Sequence, residues 1–155
     1  VINKIISSPA ISGLIPIDQH LCFALYSASL AMTKVYKPLL KKLKLTYPQY
    51  LVMLVLWERD AQRVSDIGAA LYLDSGTLTP LLKKLELLGY VARQRSSEDE
   101  RQVIVSLTAL GRDLQVKSQS VPACVLQALG CELPDVWRMN HQLKELRSNL
   151  LAANV

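Results

Sequence analysis

One change of period restricts the fold more than anything else in the chain, and it falls at Gly89. Before it, "DSGTLTPLLKKLELLG" opens on Asp74 as an expected N-cap. Leu78, Leu81, Leu82, Leu85 and Leu88 then follow at helical spacing and are expected to face inward. After it, "YVARQR" and "RQVIVSL" alternate apolar and polar residues on either side of the polar turn "SSEDE", the pattern of a β-hairpin. Just upstream, "VSDIGAALYL" reads as a short helix with Ser65 as its cap. The predicted order is therefore helix, short helix, helix, two-stranded ribbon.

Helices are predicted on both sides of this block. Asp18 is the expected cap of a first helix with apolar residues at Leu21, Leu25, Ala28, Met32, Val35 and Leu39, which Pro38 should bend or end. "TYPQYLVMLVLWE" starts with Thr46 and Gln49 in capping-box spacing and is apolar almost all round, the mark of a buried helix. Thr108 caps a further helix, interrupted near Pro122 and ending by Gly130, and "PDVWRMNHQLKELRSNLL" closes the chain. Residues 1–17, with Pro9, Pro16 and paired serines, read as a loosely held arm. The expected division is an arm at 1–17, a reading region at 46–108, and flanking helices at 18–45 and 109–155, all in one domain. The class is mainly α with a small β-hairpin.

A length of 155 residues suffices for one well-buried core. The net charge of +5 favours a polyanionic partner without settling it. Cys22, Cys124 and Cys131 are too few and too scattered for a zinc site, and an odd number suits a reducing compartment, so no metal or cofactor and a cytoplasmic location are expected. No run approaches the ~18 apolar residues of a membrane span. The initial Val1, in place of methionine, leaves room for residues before it.

The element order is that of a winged helix-turn-helix, whose second helix fits the major groove while the ribbon reaches the flanking backbone or minor groove. On the helix from 75 to 88, Gly76, Thr79, Pro80 and Lys83 face away from the leucines, with Ser75 and Thr77 at the exposed start. Small hydroxyls at a helix N-terminus can approach phosphates and base edges closely. The ribbon adds Arg93, Arg95 and Arg101 around its tip. The competing reading pairs these arginines with Glu98, Asp99 and Glu100 as an ordinary solvated face. The order of elements favours double-stranded DNA.

Here the chain resembles a known family. "YLDSGTLTPLLKKLELLGYVARQRSSEDERQVIVSLTALG" is similar to the recognition helix and wing of MarR-family transcriptional regulators. "LCFALYSAS" with "LTYPQYLVMLVLWE" is similar to their organic-hydroperoxide-sensing, OhrR-type subgroup. The similarity spans roughly residues 18 to 112 and weakens after that. It implies a non-enzymatic homodimer joined by its first and last helices, bound to an inverted-repeat operator and released by an organic hydroperoxide. It also implies that Arg101 reaches the minor groove and that Asp99 supports the wing turn.

Free cysteine is usually a buried, inert filler, and Leu21, Phe23 and Ala24 around Cys22 fit that reading. A reactive Cys22 needs polar donors from elsewhere. Tyr36 lies fourteen residues on, nearly on the same helix face but roughly 21 Å away. A twofold-related antiparallel helix would bring the other copy's Tyr36 beside Cys22, with small Ala28 and Ser29 at the crossing and Met32 filling the gap. The resemblance implies the same arrangement and adds Tyr47 as a second donor. Ordinary packing is the competing reading for Tyr26, Tyr50, Tyr72 and Tyr90. The resemblance also implies a resolving thiol near Gln127, where this chain has none. Cys124 is favoured, Cys131 is the other candidate, and a small cellular thiol would serve in a one-cysteine route. Two further functions stay open: a MarR-type repressor released by a small aromatic ligand, with Cys22 structural, and a thiol peroxidase, for which no activating arginine stands near Cys22.

Overall fold

Nearly every buried side chain belongs to the middle of the chain. The structure, a computed structural model, describes residues 15–97 and 99–153. The first helix, α1 (Leu21–Lys41), leads through a tight turn to α2 (Tyr47–Glu58). A two-residue strand β1 (Gln62–Arg63) precedes α3 (Val64–Leu71) and α4 (Ser75–Leu87). The wing is β2 (Val91–Arg95) and β3 (Val103–Leu107), and α5 (Ala109–Lys117), α6 (Val121–Leu129) and α7 (Leu133–Ala153) complete the described chain. All strands pair antiparallel in the order β1-β3-β2, with Arg93 opposite Val105 and Arg95 opposite Val103.

The apolar α2 runs through the core and buries Tyr50, Val52, Met53 and Leu56. Ile67 of α3, Leu78, Leu82 and Leu85 of α4, and Val91, Val105 and Leu107 of the wing close around it. Gln49 is buried beside them, and its Oε1 accepts the Thr46 backbone N–H at 2.9 Å, the expected capping interaction. Two polar brackets tie the wing and α5 to the end of α2 and the loop after it. Asp60 accepts the N–H of Leu107 at 2.7 Å and the Arg112 guanidinium at 3.1 Å, while the Trp57 indole donates to the Gly111 carbonyl at 2.9 Å. A Cβ on Gly111 would lie 2.1 Å from the Tyr90 carbonyl oxygen, so only glycine fits where α5 crosses the end of the wing. The Thr108 hydroxyl caps α5 through the Gly111 N–H at 3.0 Å.

Several expectations need correction. Asp18 does not cap α1: a 3-10 turn over Ile17–Gln19 intervenes, and His20 is the capping residue. Pro38 neither ends nor replaces a turn of α1, which continues to Lys41. Pro38 and Lys34, whose carbonyl loses its donor, are both exposed, so solvent can serve that carbonyl. Ser65 lies inside α3, whose cap is Arg63. Leu81 packs on the core while only half-buried, and Leu88, also half-buried, is not part of it. The ribbon has a third strand, since Ala61, at φ 55, turns the chain so that Gln62 pairs with Val105. The interruption expected near Pro122 is present: the chain after Thr108 forms two helices, broken at Ser118–Ser120, with Pro122 in the first turn of α6. The arm expected at 1–17 lies outside the described residues up to position 14.

The ends of the chain differ. Of α1 only Leu40 is buried, and α7 buries none of its residues. Where α7 returns to the body, the Arg147 guanidinium lies 4.2 Å from the centre of the Tyr72 ring.

Candidate DNA interface and redox site

Asp74 sets the start of the reading helix. Its carboxylate accepts the Thr77 N–H at 2.8 Å and the Thr77 hydroxyl at 2.9 Å, and these bonds hold its pKa below the ordinary 3.8. Ser75, Gly76, Pro80 and Lys83 are exposed on α4, whereas Thr79 is half-buried. Thr77 and Thr79 differ from the expected open hydroxyls. Thr77 gives its proton to Asp74, and Thr79 gives its own to the Ser75 carbonyl at 2.7 Å. Both hydroxyl protons are therefore engaged within the chain, while Ser75 at the helix start and Lys83 two turns on are exposed.

The wing arginines separate into two kinds. Arg93 is not at the tip: it sits mid-strand in a two-contact pair with Glu86 at 2.7 and 2.9 Å, bracing the wing against α4. That pairing holds Glu86 below the usual carboxylate range. The sequence hid it because the partners are seven residues apart across Gly89. Arg101 is exposed at the tip and forms no ion pair among the described residues. Asp99 accepts the Arg101 N–H at 3.0 Å and the Gln102 side-chain amide at 3.0 Å, closing the turn beneath it.

The sulfur and the tyrosines stand at opposite ends of α1. Cys22 is exposed at the N-terminal end, on a cavity of about 720 Å³ lined by Ile15, Pro16, Ile17, His20, Phe23 and Tyr26. His20 is fixed there, its Nε2 3.0 Å from the Ile15 carbonyl. Tyr36 and Tyr47 meet at the other end with ring centres 4.6 Å apart, and buried Tyr50 stands 5.8 Å from Tyr36. Burial raises the pKa of both Tyr36 and Tyr47, and for Tyr36 the neighbouring Tyr47 and Tyr50 add to it. Both hydroxyls are protonated at neutral pH and can donate hydrogen bonds. They border a cavity of about 450 Å³ completed by Met32, Val125, Leu126, Leu129, Leu133 and Val136. Tyr50, assigned by sequence to packing alone, is the third member of the cluster.

All three cysteines are free. Cys124 is exposed on α6, while Pro122, Ala123, Val125, Leu126 and Leu129 of that helix line the tyrosine cavity and Cys124 does not. Cys131 is half-buried just past Gly130, beside Glu132 and Asp135.

Comparison with known proteins sets this geometry in a family. Residues 34–117 match the family model described as transcriptional regulator SarA/Rot. The organic hydroperoxide resistance transcriptional regulator of Bacillus subtilis is 53% identical over 110 residues, covering 71% of this chain and 75% of that protein. Reduced AbfR bound to DNA, from a protein of Staphylococcus epidermidis, superposes with a TM-score of 0.76 at 36% identity, covering 87% of this chain and 92% of that one. Disulfide-formed AbfR gives 0.58 at 39% identity over 81% and 88%. The chain belongs to the MarR family of winged helix-turn-helix transcriptional regulators, in its organic-hydroperoxide, OhrR-type group.

Proposed function

We propose that this DNA-binding regulator is a homodimeric, cytoplasmic repressor that holds an inverted-repeat operator while Cys22 is reduced and releases it when an organic hydroperoxide oxidises Cys22. The observation that carries the reading is the Tyr36–Tyr47 pair: two half-buried hydroxyls in an apolar cavity, where Tyr36, at the far end of α1 from the exposed Cys22, meets Tyr47 at the start of α2. The C-terminal half of α1 packs on its own core through Met32, Val35, Tyr36 and Leu39. The N-terminal half leaves Leu21, Tyr26 and Leu30 46–61% exposed. A second copy laid antiparallel across Ser29 covers that half and carries each Cys22 to the other copy's tyrosines. The greater likeness to reduced, DNA-bound AbfR than to its disulfide form agrees with a conformation whose thiols are free.

In the proposed chemistry the thiolate attacks the distal peroxide oxygen. An S–O bond forms, the O–O bond breaks, and the alkoxide leaves with a proton as the alcohol. The resulting sulfenic acid condenses with a second thiol and releases water. Cys124 is our choice for that thiol; because α6 turns it away from the tyrosine cavity, the bond requires α6 to rotate. Such a movement at the dimer interface changes the spacing of the two α4 helices, and half-sites lie about one duplex turn apart. Arg101 contacts the minor groove from the tip that Asp99 closes.

Replacing both Tyr36 and Tyr47 by Phe tests the site. Hydrogen bonds to a charged partner contribute about 1.5–3 kcal/mol, so Cys22 alkylation at neutral pH should slow about tenfold or more. A rate equal to the parent's means that the hydroxyls do not activate the thiol. Cys124→Ser should still release DNA yet run as a monomer on non-reducing gels; loss of the crosslink in Cys131→Ser instead would make Cys131 the resolving residue.

A further inference from the structure

Tyr72 ends α3 in the left-handed conformation, at φ 56 and ψ 38. A β-carbon is disfavoured there and glycine adopts it freely, so a large aromatic at this position needs a reason beyond the turn. Burial does not supply one, since Tyr72 is 57% exposed. What its ring meets is Arg147 of α7, whose guanidinium lies 4.2 Å from the ring centre. Arg147 is itself exposed and makes no ion pair among the described residues. The chain beyond Tyr72 leaves little slack. The Leu73 N–H donates to the Gly68 carbonyl at 2.9 Å, and a Cβ on Gly68 would lie 2.9 Å from the Leu73 carbonyl oxygen. Asp74 follows at once and caps α4 through the Thr77 N–H. A shift of α7 against Tyr72 is therefore carried to the start of α4 with no glycine or long loop to absorb it.

We propose that Arg147 and Tyr72 are positioning residues for DNA reading: the pair is a strut that fixes the start of α4 relative to α7. This rests on the dimer proposed above, in which α7 belongs to the interface, so that two struts set the separation of the two α4 helices. Neither residue has to touch DNA. A guanidinium stacks flat on an aromatic face and is attracted to it, which suits a spacer between two elements. The competing role for an exposed arginine is a direct phosphate contact, and the two roles differ in what they predict. A phosphate contact strengthens binding at every half-site spacing and steepens its salt dependence. A strut favours one spacing over the others, because the half-sites must fall where the two helices are held.

The probe is an inverted-repeat duplex that the parent protein selects from a randomised pool, rebuilt with its half-sites one base pair closer or one base pair further apart. Arg147→Met keeps the stem and removes the charge. It should reduce the preference for the selected spacing about fivefold, the size of two exposed cation–π pairs per dimer, with the salt slope unchanged. Tyr72→Leu should do the same, Tyr72→Phe should keep the parent's preference, and the double variant should lose no more than either single one. A preference retained in either Arg147→Met or Tyr72→Leu would overturn the proposal. Equal weakening at all three spacings with a shallower salt slope in Arg147→Met would overturn it in favour of a phosphate contact. If the parent itself binds all three spacings equally, the dimer reading fails first and takes the proposal with it.

Discussion

The block from α2 to α5 and the two long terminal helices solve the burial of apolar surface in opposite ways. In the block, Leu56, Ile67, Leu85 and Val105 are fully buried by the chain's own neighbours. On α7, Leu133, Trp137, Met139, Leu143, Leu150 and Leu151 remain 46–66% exposed. Apolar exposure on this scale along one helix marks an interaction surface. The difference separates reading from sensing. The proposed DNA-reading face is positioned by contacts within one chain: Asp74 at the start of α4, Glu86 on Arg93, and Asp99 under Arg101. The proposed sensing site has its thiol at one end of α1 and Tyr36, with Tyr47 of α2, at the other, and in that reading a second copy completes it.

The comparison can be broken first inside the block. Gly111→Ala places a methyl group against the Tyr90 carbonyl, which backbone must move to relieve. It should lower unfolding stability by about 3 kcal/mol or more in urea melts. A loss under about 0.5 kcal/mol would mean that the α5–wing crossing is loosely held.

On α7 the expectation reverses. Trp137→Glu should leave the melt of the block unchanged but weaken the dimer about a hundredfold, as buried interface tryptophans typically do. Sedimentation at micromolar concentration would show monomer; an unaltered dimer mass would remove Trp137 from the interface.

Smaller still, Arg101→Ala should weaken operator binding about tenfold and reduce the salt slope by about 1. Unchanged affinity and slope would take the wing tip off the DNA.

The smallest effects are in pH. Asp74 and Glu86 have folded pKa values below their ordinary ones, so their contribution is present above about pH 4 and is lost as pH falls through the folded values. Tyr36 and Tyr47 act in the opposite sense: their raised values give stability that is full below about pH 10 and lost as pH rises further. Asp74→Asn should flatten only the acid side of the pH–stability curve, and Tyr36→Phe only the alkaline side.

The reading block was largely legible because its signals are local. The Asp74 and Thr108 caps, the Thr46–Gln49 pairing and the change of period at Gly89 each act within a few residues. β1 was not legible: two residues cannot alternate visibly, and the turn depends on Ala61 at positive φ, a residue with no turn preference. The Arg93–Glu86 brace was hidden for a similar reason, since it joins two elements across a glycine. Pro38 does not end α1 because an exposed helix face tolerates a missing hydrogen bond that a buried one would not. In the candidate site, the Tyr36–Tyr47 pair was inferred as two separate donors, while the contacts of the Tyr36 ring with Tyr47 and buried Tyr50 depend on how α1 lies across α2. The Arg147–Tyr72 contact needed the fold as well, because it joins α7 to the turn between α3 and α4.

The central claim is that Cys22 is the switch, and fluorescence anisotropy of labelled operator DNA tests it most directly. One equivalent of cumene hydroperoxide should release the parent protein from DNA and leave Cys22→Ser bound at its original affinity. Release of Cys22→Ser to the same extent as the parent would contradict the account and return Cys22 to a structural role.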